Sequence, residues 1–211
     1  NTRAPRPQAI RLRKPMVQHF AAITDPQRFG ELLRAIDSYR GTPVVCAALR
    51  LMPLMLLRPG ELRQAQWDEL DLPAATWTVP AARMKREKVG KIYGKPHIVP
   101  LPRQAVAIFE TLKPLTEHSP YVFRGERSAQ PMSDAAINAA LRTLGFSADE
   151  VTGHGFRASA RTMIVERLGI AESVVEAQLA HSVRDNLGRA YNRTEFMQER
   201  VRMMQQWADS L

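Results

Sequence analysis

Apolar residues recur at helical spacing along much of the chain, and the first such stretch follows a helix start. Asp25 precedes Pro26, and an aspartate side chain caps the first turn of a helix while proline suits its first position. The apolar positions that follow are one, three or four residues apart: Phe29, Leu32, Leu33 and Ile36. This pattern predicts an amphipathic helix that runs up to Gly41.

The segment from about Pro43 toward Leu57 is apolar on nearly every side. It predicts a buried helix that Pro53 ends or kinks, because proline lacks the amide hydrogen that a helix needs. Further helices are predicted over about 105–112, from Ser133-Asp134 through Leu144, over about 158–168 and 172–179, and from Thr194 onward. In the last helix one face carries Phe196, Met203, Trp207 and Leu211, which pack either on their own domain or on a neighbouring protomer.

Strand signals are few. Thr76–Val79 and His97–Leu101 are short β-prone runs, each closed by a proline, and we expect them to pair with the basic segment 83–95 as the loop between them. Residues 121–123 predict one further short strand. The pattern is therefore that of an α+β domain, mostly helical around a small antiparallel sheet.

Charge is concentrated in two places. The chain of 211 residues, 45% of them hydrophobic, suits one well-buried domain and has a formal net charge of +9. Five cations without an acid lie in residues 1–15, and six with a single acid lie in residues 83–95. This distribution predicts a polyanionic partner, with nucleic acid first. The candidates for contacts with a DNA backbone are Arg11, Arg13, Lys14, Arg86, Lys88 and Lys91.

Composition also sets the expected organisation and excludes several classes of protein. Residues 1–20 are expected to form an extended basic linker, or a merely solvated tail, ahead of one domain over residues 21–211. The single Cys46 excludes an intramolecular disulfide, and neither a metal-ligand pattern nor a phosphate-binding loop is present, so no metal and no cofactor are expected. The longest apolar run is too short and too interrupted to cross a membrane. We expect a soluble, cytoplasmic fragment of a longer protein.

Candidate chemistry lies in a few residues within apolar contexts. Arg58 stands in RPGEL, His154 and Arg157 in GHGFR, His181 in LAH, and Tyr191 in AYNR. Taken singly, each suits a structural role. Their order, with Lys85 placed after the first strand, resembles the tyrosine recombinase family, and in particular its phage and genomic-island integrases. The resemblance extends from about residue 25 to the end of the chain.

That resemblance implies a chemistry for each position. Tyr191 would attack a DNA phosphate and form a 3′-phosphotyrosyl link, while Arg58 and Arg157 would bind the phosphate oxygens. Lys85 would protonate the departing 5′ oxygen, although Lys88 or Lys91 could take that role in another hairpin register. His154 would accept a proton or contact the phosphate, and His181 would donate a hydrogen bond. Glu61 is expected to support Arg58 rather than to react.

Two positions depart from the family pattern. Leu56 and Leu57 precede Arg58, where many members have Thr-Gly or a similar small pair, and Ala180 stands where glycine often precedes the histidine. The turn into Arg58 is therefore expected to differ, whereas alanine before His181 is a small change.

The resemblance also implies partners and an outcome. We expect the catalytic domain of an integrase that inserts or excises a mobile element at double-stranded core sites, as a homotetramer on DNA and a monomer without it. DNA-bending accessory proteins and association with the bacterial nucleoid are further expectations, and the N-terminal DNA-binding domains of the family are absent from this chain. The alternatives are a non-catalytic DNA-binding module, a type IB topoisomerase and a dimer-resolving recombinase.

Overall fold

The computed structural model describes residues 20–84, 88–126, 130–181 and 196–211. The helices and strands are α1 (Pro26–Ser38), α2 (Pro43–Met55), α3 (Pro59–Arg63), β1 (Leu70–Asp71), β2 (Thr76–Val79), α4 (Lys88–Tyr93), β3 (His97–Pro100), α5 (Arg103–Thr116), α6 (Ala136–Thr143), α7 (Gly155–Leu168), α8 (Glu172–Gln178) and α9 (Met197–Asp209). Short 3₁₀ turns cover Trp67–Glu69 and Ala81–Arg83. The expected α+β class, mostly helical with a small antiparallel sheet, is confirmed.

Helix starts follow the capping signals. The Asp25 side chain accepts a hydrogen bond of 2.8 Å from the Arg28 amide at the start of α1. Helix α2 continues through Pro53 to Met55, so of the two predicted effects of this proline, an end or a kink, the end is excluded. A proline so close to a helix end removes one backbone hydrogen bond while the surrounding apolar packing is kept. The helix ends where Leu56 adopts a left-handed conformation, with φ of 53°.

Helix α2 lies at the centre of the domain and packs against α1, α5, α6, α7 and α9. An aromatic cluster joins three of these helices, since the Phe29 ring lies 6.3 Å from that of Phe156 and 6.2 Å from that of Trp207. The Trp207 indole also donates a hydrogen bond of 2.8 Å to the Pro53 carbonyl. The C-terminal helix therefore packs on its own domain. Within the described ranges, no helix is long and apolar enough to span a lipid bilayer.

The sheet is antiparallel in the order β1-β2-β3, with Trp77 opposite Val99 in the central pair. The predicted pairing of the two longer strands is confirmed, and the two-residue β1 adds a third that local sequence did not indicate. The strand predicted at 121–123 is wrong, because Tyr121 and Arg124 form isolated bridges to two separate segments rather than one continuous ladder.

Helix α4 and the start of α6 also differ from expectation. The segment 83–95, predicted as a loop, contains helix α4, which packs against the 3₁₀ turn Ala81–Arg83 although valine, glycine and isoleucine are weak helix formers. Helix α6 begins at Ala136, two residues after the expected cap, because the Ser133 hydroxyl bonds the Ala135 amide in a preceding turn. Helix α9 begins at Met197, and the start predicted at Thr194 lies outside the described residues.

Candidate active site

Arg58 lies in the turn between α2 and α3. Its side chain donates to Glu61 Oε1 over 2.7 Å, and its amide donates to Glu61 Oε2 over 3.0 Å. The Glu61 side chain is only 4% exposed, so one buried carboxylate holds both the backbone and the guanidinium of Arg58. The turn does contain an unusual residue, because Leu56 occupies a left-handed conformation that favours glycine.

Arg157, in the first turn of α7, is the buried centre of the site. Its guanidinium donates to the Leu56 carbonyl and, over 2.9 Å, to the Leu179 carbonyl, and it lies 3.3 Å from His181 Nε2. Burial, and next the nearby charge of Arg58, lower the pKa of Arg157 to about 10. The side chain is therefore still cationic at neutral pH, and it joins the end of α2 to the end of α8.

His181 follows α8 and faces Arg157 through one ring nitrogen. Its other ring nitrogen, Nδ1, lies 2.6 Å from Glu176 Oε2. The preceding Ala180 has φ of 52°, in the left-handed region. Glycine adopts this conformation without the steric cost of a Cβ, which gives a physical reason for the family's frequent choice there.

His154 directly precedes α7 and contacts Phe20, the first residue that the structure describes. The Phe20 ring stacks on its imidazole with centroids 4.4 Å apart and planes at 14°. Next to it, a Cβ on Gly155 would collide with the Ala21 carbonyl oxygen, so this close approach of the two backbones requires glycine. His154 also lines a cleft of about 370 Å³ together with Pro59 and Arg63. Helix α3 and the start of α7 thus share one surface.

The structure does not describe every predicted site residue. Lys85, Arg86 and Tyr191 lie outside the described residues, as do Arg11, Arg13 and Lys14. Lys88 begins α4, and Lys91 lies on the same helix with an exposed side chain. His97 starts β3 as expected and is buried, with Nε2 at 3.0 Å from the Gln178 carbonyl. Burial, and next the charge of Arg200, lower its pKa to about 4, so it is neutral at physiological pH.

Two ion pairs near the site were not predicted. Arg83, one of the six cations of segment 83–95, is mostly buried and bonds Glu69, and it also donates to the Glu61 carbonyl over 3.3 Å. Arg161 donates to Glu176 Oε1 over 2.5 Å. No local pattern marks the Arg83 pair. The only hint for the second is that Glu172 and Glu176 are one helical turn apart.

The arrangement suits an anionic, tetrahedral substrate group. Arg157 lies in contact with His181 and within the electrostatic influence of Arg58, while His154 lines the neighbouring cleft. Guanidinium forks match phosphate geometry. In the described part of the chain, no group of three or more His, Cys, Asp and Glu side chains is placed to hold a metal ion. Fold and site together give a cluster of cationic side chains at the ends of α2 and α8, on a helical domain with a small sheet.

The chain belongs to the phage integrase family, whose sequence model matches residues 24–198. It is 38% identical over 202 residues to an integrase of Enterobacteria phage P4, a match that covers 92% of this chain and 46% of that protein. The chain spans about half the length of the curated relatives it matches.

Solved structures share the fold. The integrase from mycobacterium phage Brujita superposes with a TM-score of 0.61 at 19% identity, covering 98% of this chain and 61% of that one. A lambda integrase dimer bound to a COC′ core site gives a TM-score of 0.56 at 18% identity, covering 86% of this chain and 53% of that one.

Proposed function

We propose that this chain is the catalytic domain of a site-specific DNA recombinase, an integrase that cleaves and rejoins duplex DNA through a 3′-phosphotyrosyl intermediate. The observation that carries the proposal is the position of Arg157, buried among the carbonyls of two turns, next to Arg58 and in contact with His181. A buried cation cluster of this kind supports chemistry in which negative charge develops on a phosphate.

The reaction assigns one task to each residue. Tyr191 attacks the phosphorus and gives its phenolic proton to His154, or to solvent where His154 only contacts the phosphate, as the bond to the 5′ oxygen breaks. Arg58 and Arg157 bind the non-bridging oxygens, and Glu61 keeps Arg58 in place. Lys85 gives a proton to the 5′ oxygen, because an alkoxide is a poor leaving group. His154 accepts a proton or contacts the phosphate, and His181 donates a hydrogen bond to a phosphate oxygen.

Double-stranded DNA is the proposed partner. The net charge of +9 supports it, and the lambda integrase with a similar fold was solved on a DNA core site. Residues 1–20 would act as a linker to N-terminal DNA-binding domains. The candidates for contacts with the DNA backbone are Arg11, Arg13, Lys14, Arg86, Lys88 and Lys91. A homotetramer on paired sites of the nucleoid, aided by DNA-bending proteins, completes the proposal.

A trapping experiment tests this function even when the target sequence is unidentified. The chain is incubated with a pool of nicked duplexes whose core is randomised, so that cleavage releases a short 5′-hydroxyl fragment and leaves the protein attached to DNA. Adducts that survive detergent are isolated, their DNA is sequenced, and the modified residue is mapped. We expect adducts on Tyr191 and none with Tyr191→Phe, which should still bind DNA.

The other outcomes identify the alternatives. Retained DNA binding without any adduct from the wild-type chain would make it a non-catalytic DNA-binding module. Adducts followed by relaxation of supercoiled DNA, with no exchange between two selected sites, would indicate a type IB topoisomerase. Exchange that only resolves dimers into monomers would indicate a dimer-resolving recombinase. Adducts that persist in Tyr191→Phe would show that another nucleophile is used.

A further inference from the structure

The imidazole of His181 is held through both of its nitrogens. Nε2 lies 3.3 Å from an Arg157 amino group, and Nδ1 lies 2.6 Å from Glu176 Oε2. An arginine N–H can only donate, so Nε2 accepts in this arrangement and the ring proton is on Nδ1, where it is donated to Glu176. Both contacts therefore select the same neutral tautomer, and the ring edge that carries Nε2 faces the phosphate-binding arginine.

Glu176 is itself fixed by a second residue. Its Oε1 accepts a hydrogen bond of 2.5 Å from Arg161 Nε, so each carboxylate oxygen serves one partner. The side chain is 16% exposed, and although burial raises its pKa, the hydrogen bonds from Arg161 and His181 and their charges bring the pKa below the usual value. Glu176 is thus ionised at neutral pH and accepts from both neighbours.

We propose that Glu176, anchored by Arg161, is a positioning residue that orients His181 toward the DNA phosphate. This role rests on the proposed function, in which His181 donates from Nε2. Donation to a phosphate oxygen requires a second ring proton on Nε2, which replaces the contact that Nε2 accepts from Arg157, while Glu176 keeps the first proton on Nδ1. A carboxylate behind a working histidine serves the same purpose in metal sites and in hydrolase triads, where it fixes tautomer and ring orientation.

The chain offers a matched control on the same helix. Glu172 also bonds Arg161, but its side chain is 60% exposed and it makes no bond to His181 in the described structure. The His181 amide, moreover, donates over 3.0 Å to the Glu176 backbone carbonyl, a contact that substitution of the side chain leaves in place. Glu176→Gln keeps the size of the side chain but offers one oxygen to two donors, so the turn should fold while the ring loses its support.

The first experiment measures single-turnover adduct formation at saturating DNA, on a duplex recovered from the randomised pool. We expect Glu176→Gln to lower the rate by about tenfold, the low end of what loss of a carboxylate behind a ligating histidine costs. DNA affinity should be unchanged, as should the rate of Glu172→Gln. In a His181→Ala background, Glu176→Gln should cause no further loss.

Two results separate the role from the function. If the wild-type chain forms no adduct, the proposed function and this role fail together. If it does, and Glu176→Gln reacts at the same rate or lowers the rate equally with and without His181, only the positioning role is overturned.

The second experiment needs no DNA. ¹⁵N chemical shifts of labelled histidine distinguish a protonated from an unprotonated ring nitrogen. At a pH where the ring is neutral, His181 of the wild-type chain should carry its proton on Nδ1. Because Arg157 still donates to Nε2 in Glu176→Gln, the expected change there is a weaker Nδ1–H hydrogen bond, seen as an upfield shift of the Nδ1 proton. The Glu172→Gln spectrum should match the wild type. An Nδ1 proton shift that is the same in Glu176→Gln and the wild type would contradict the proposal.

Discussion

Ala180→Gly should stabilise the protein, because Ala180 has a positive φ of 52° directly before His181. A left-handed conformation costs a residue with a Cβ roughly 1–2 kcal/mol. Glycine removes that cost but gains freedom in the unfolded chain, which offsets about 0.4–1 kcal/mol. The net gain should be about 0.5–1 kcal/mol. For a domain of this size that corresponds to an increase in Tm of roughly 1–4 °C.

The control is Ala177→Gly, three residues earlier and inside α8. There the same substitution acts on a helical residue and should destabilise by about 0.5–1 kcal/mol. Urea unfolding followed by circular dichroism, supported by calorimetry, measures both variants against the wild type. The two substitutions should therefore change the free energy of unfolding in opposite directions. Equal destabilisation by the two glycines would refute this prediction, since the left-handed turn would then carry no strain.

Three further predictions concern charge and pH. Arg157→Lys should reduce the rate of adduct formation by roughly 100-fold or more, because an ammonium lacks the planar fork that can bond the Leu179 carbonyl and phosphate oxygens together. Single-turnover rates at saturating DNA measure this loss, and a loss below tenfold would contradict the prediction. Burial holds the pKa of His97 at about 4 in the folded protein, against roughly 6.5 in the unfolded chain. The neutral, buried imidazole therefore contributes fully to the free energy of unfolding above pH 6.5, and this contribution is lost as the pH falls toward 4. Urea titrations across this range should show a flatter pH slope for His97→Gln. Adduct formation should persist in EDTA, because protein cations meet the phosphate charge, and strong inhibition would show that a metal takes part.

Local sequence predicted most of the helical frame. Asp25-Pro26 marks the start of α1, and the apolar run from Pro43 produces the buried α2, because capping and periodicity are properties of neighbouring residues. The hairpin pairing followed from two short β-prone runs, each closed by proline. Helix α4 was missed because its cations suit a solvated loop as well as a helix, and residues 121–123 pair with separate segments that no local pattern reveals.

The site was predictable only as an ordered set of residue types. The RPGEL motif places Glu61 three residues after Arg58, a spacing that brings the two together in the first turn of a helix. The pairs Arg83–Glu69 and Arg161–Glu176 join residues 14 and 15 positions apart, and their partners meet only because the fold brings separate elements together. The departure at Leu56 was visible in the sequence, whereas its left-handed conformation was not.

The carbonyl contacts of Arg157 have a consequence for the entropy cost of binding a phosphate. A free arginine side chain has about 2 kcal/mol of rotamer entropy, which a substrate must overcome if it orders the side chain itself. Here the Leu56 and Leu179 carbonyls and the His181 ring fix the guanidinium before any DNA arrives. In the proposed reaction the site is therefore preorganised: a DNA phosphate would meet a cation that was already immobilised when the protein folded, so binding would not have to order it again.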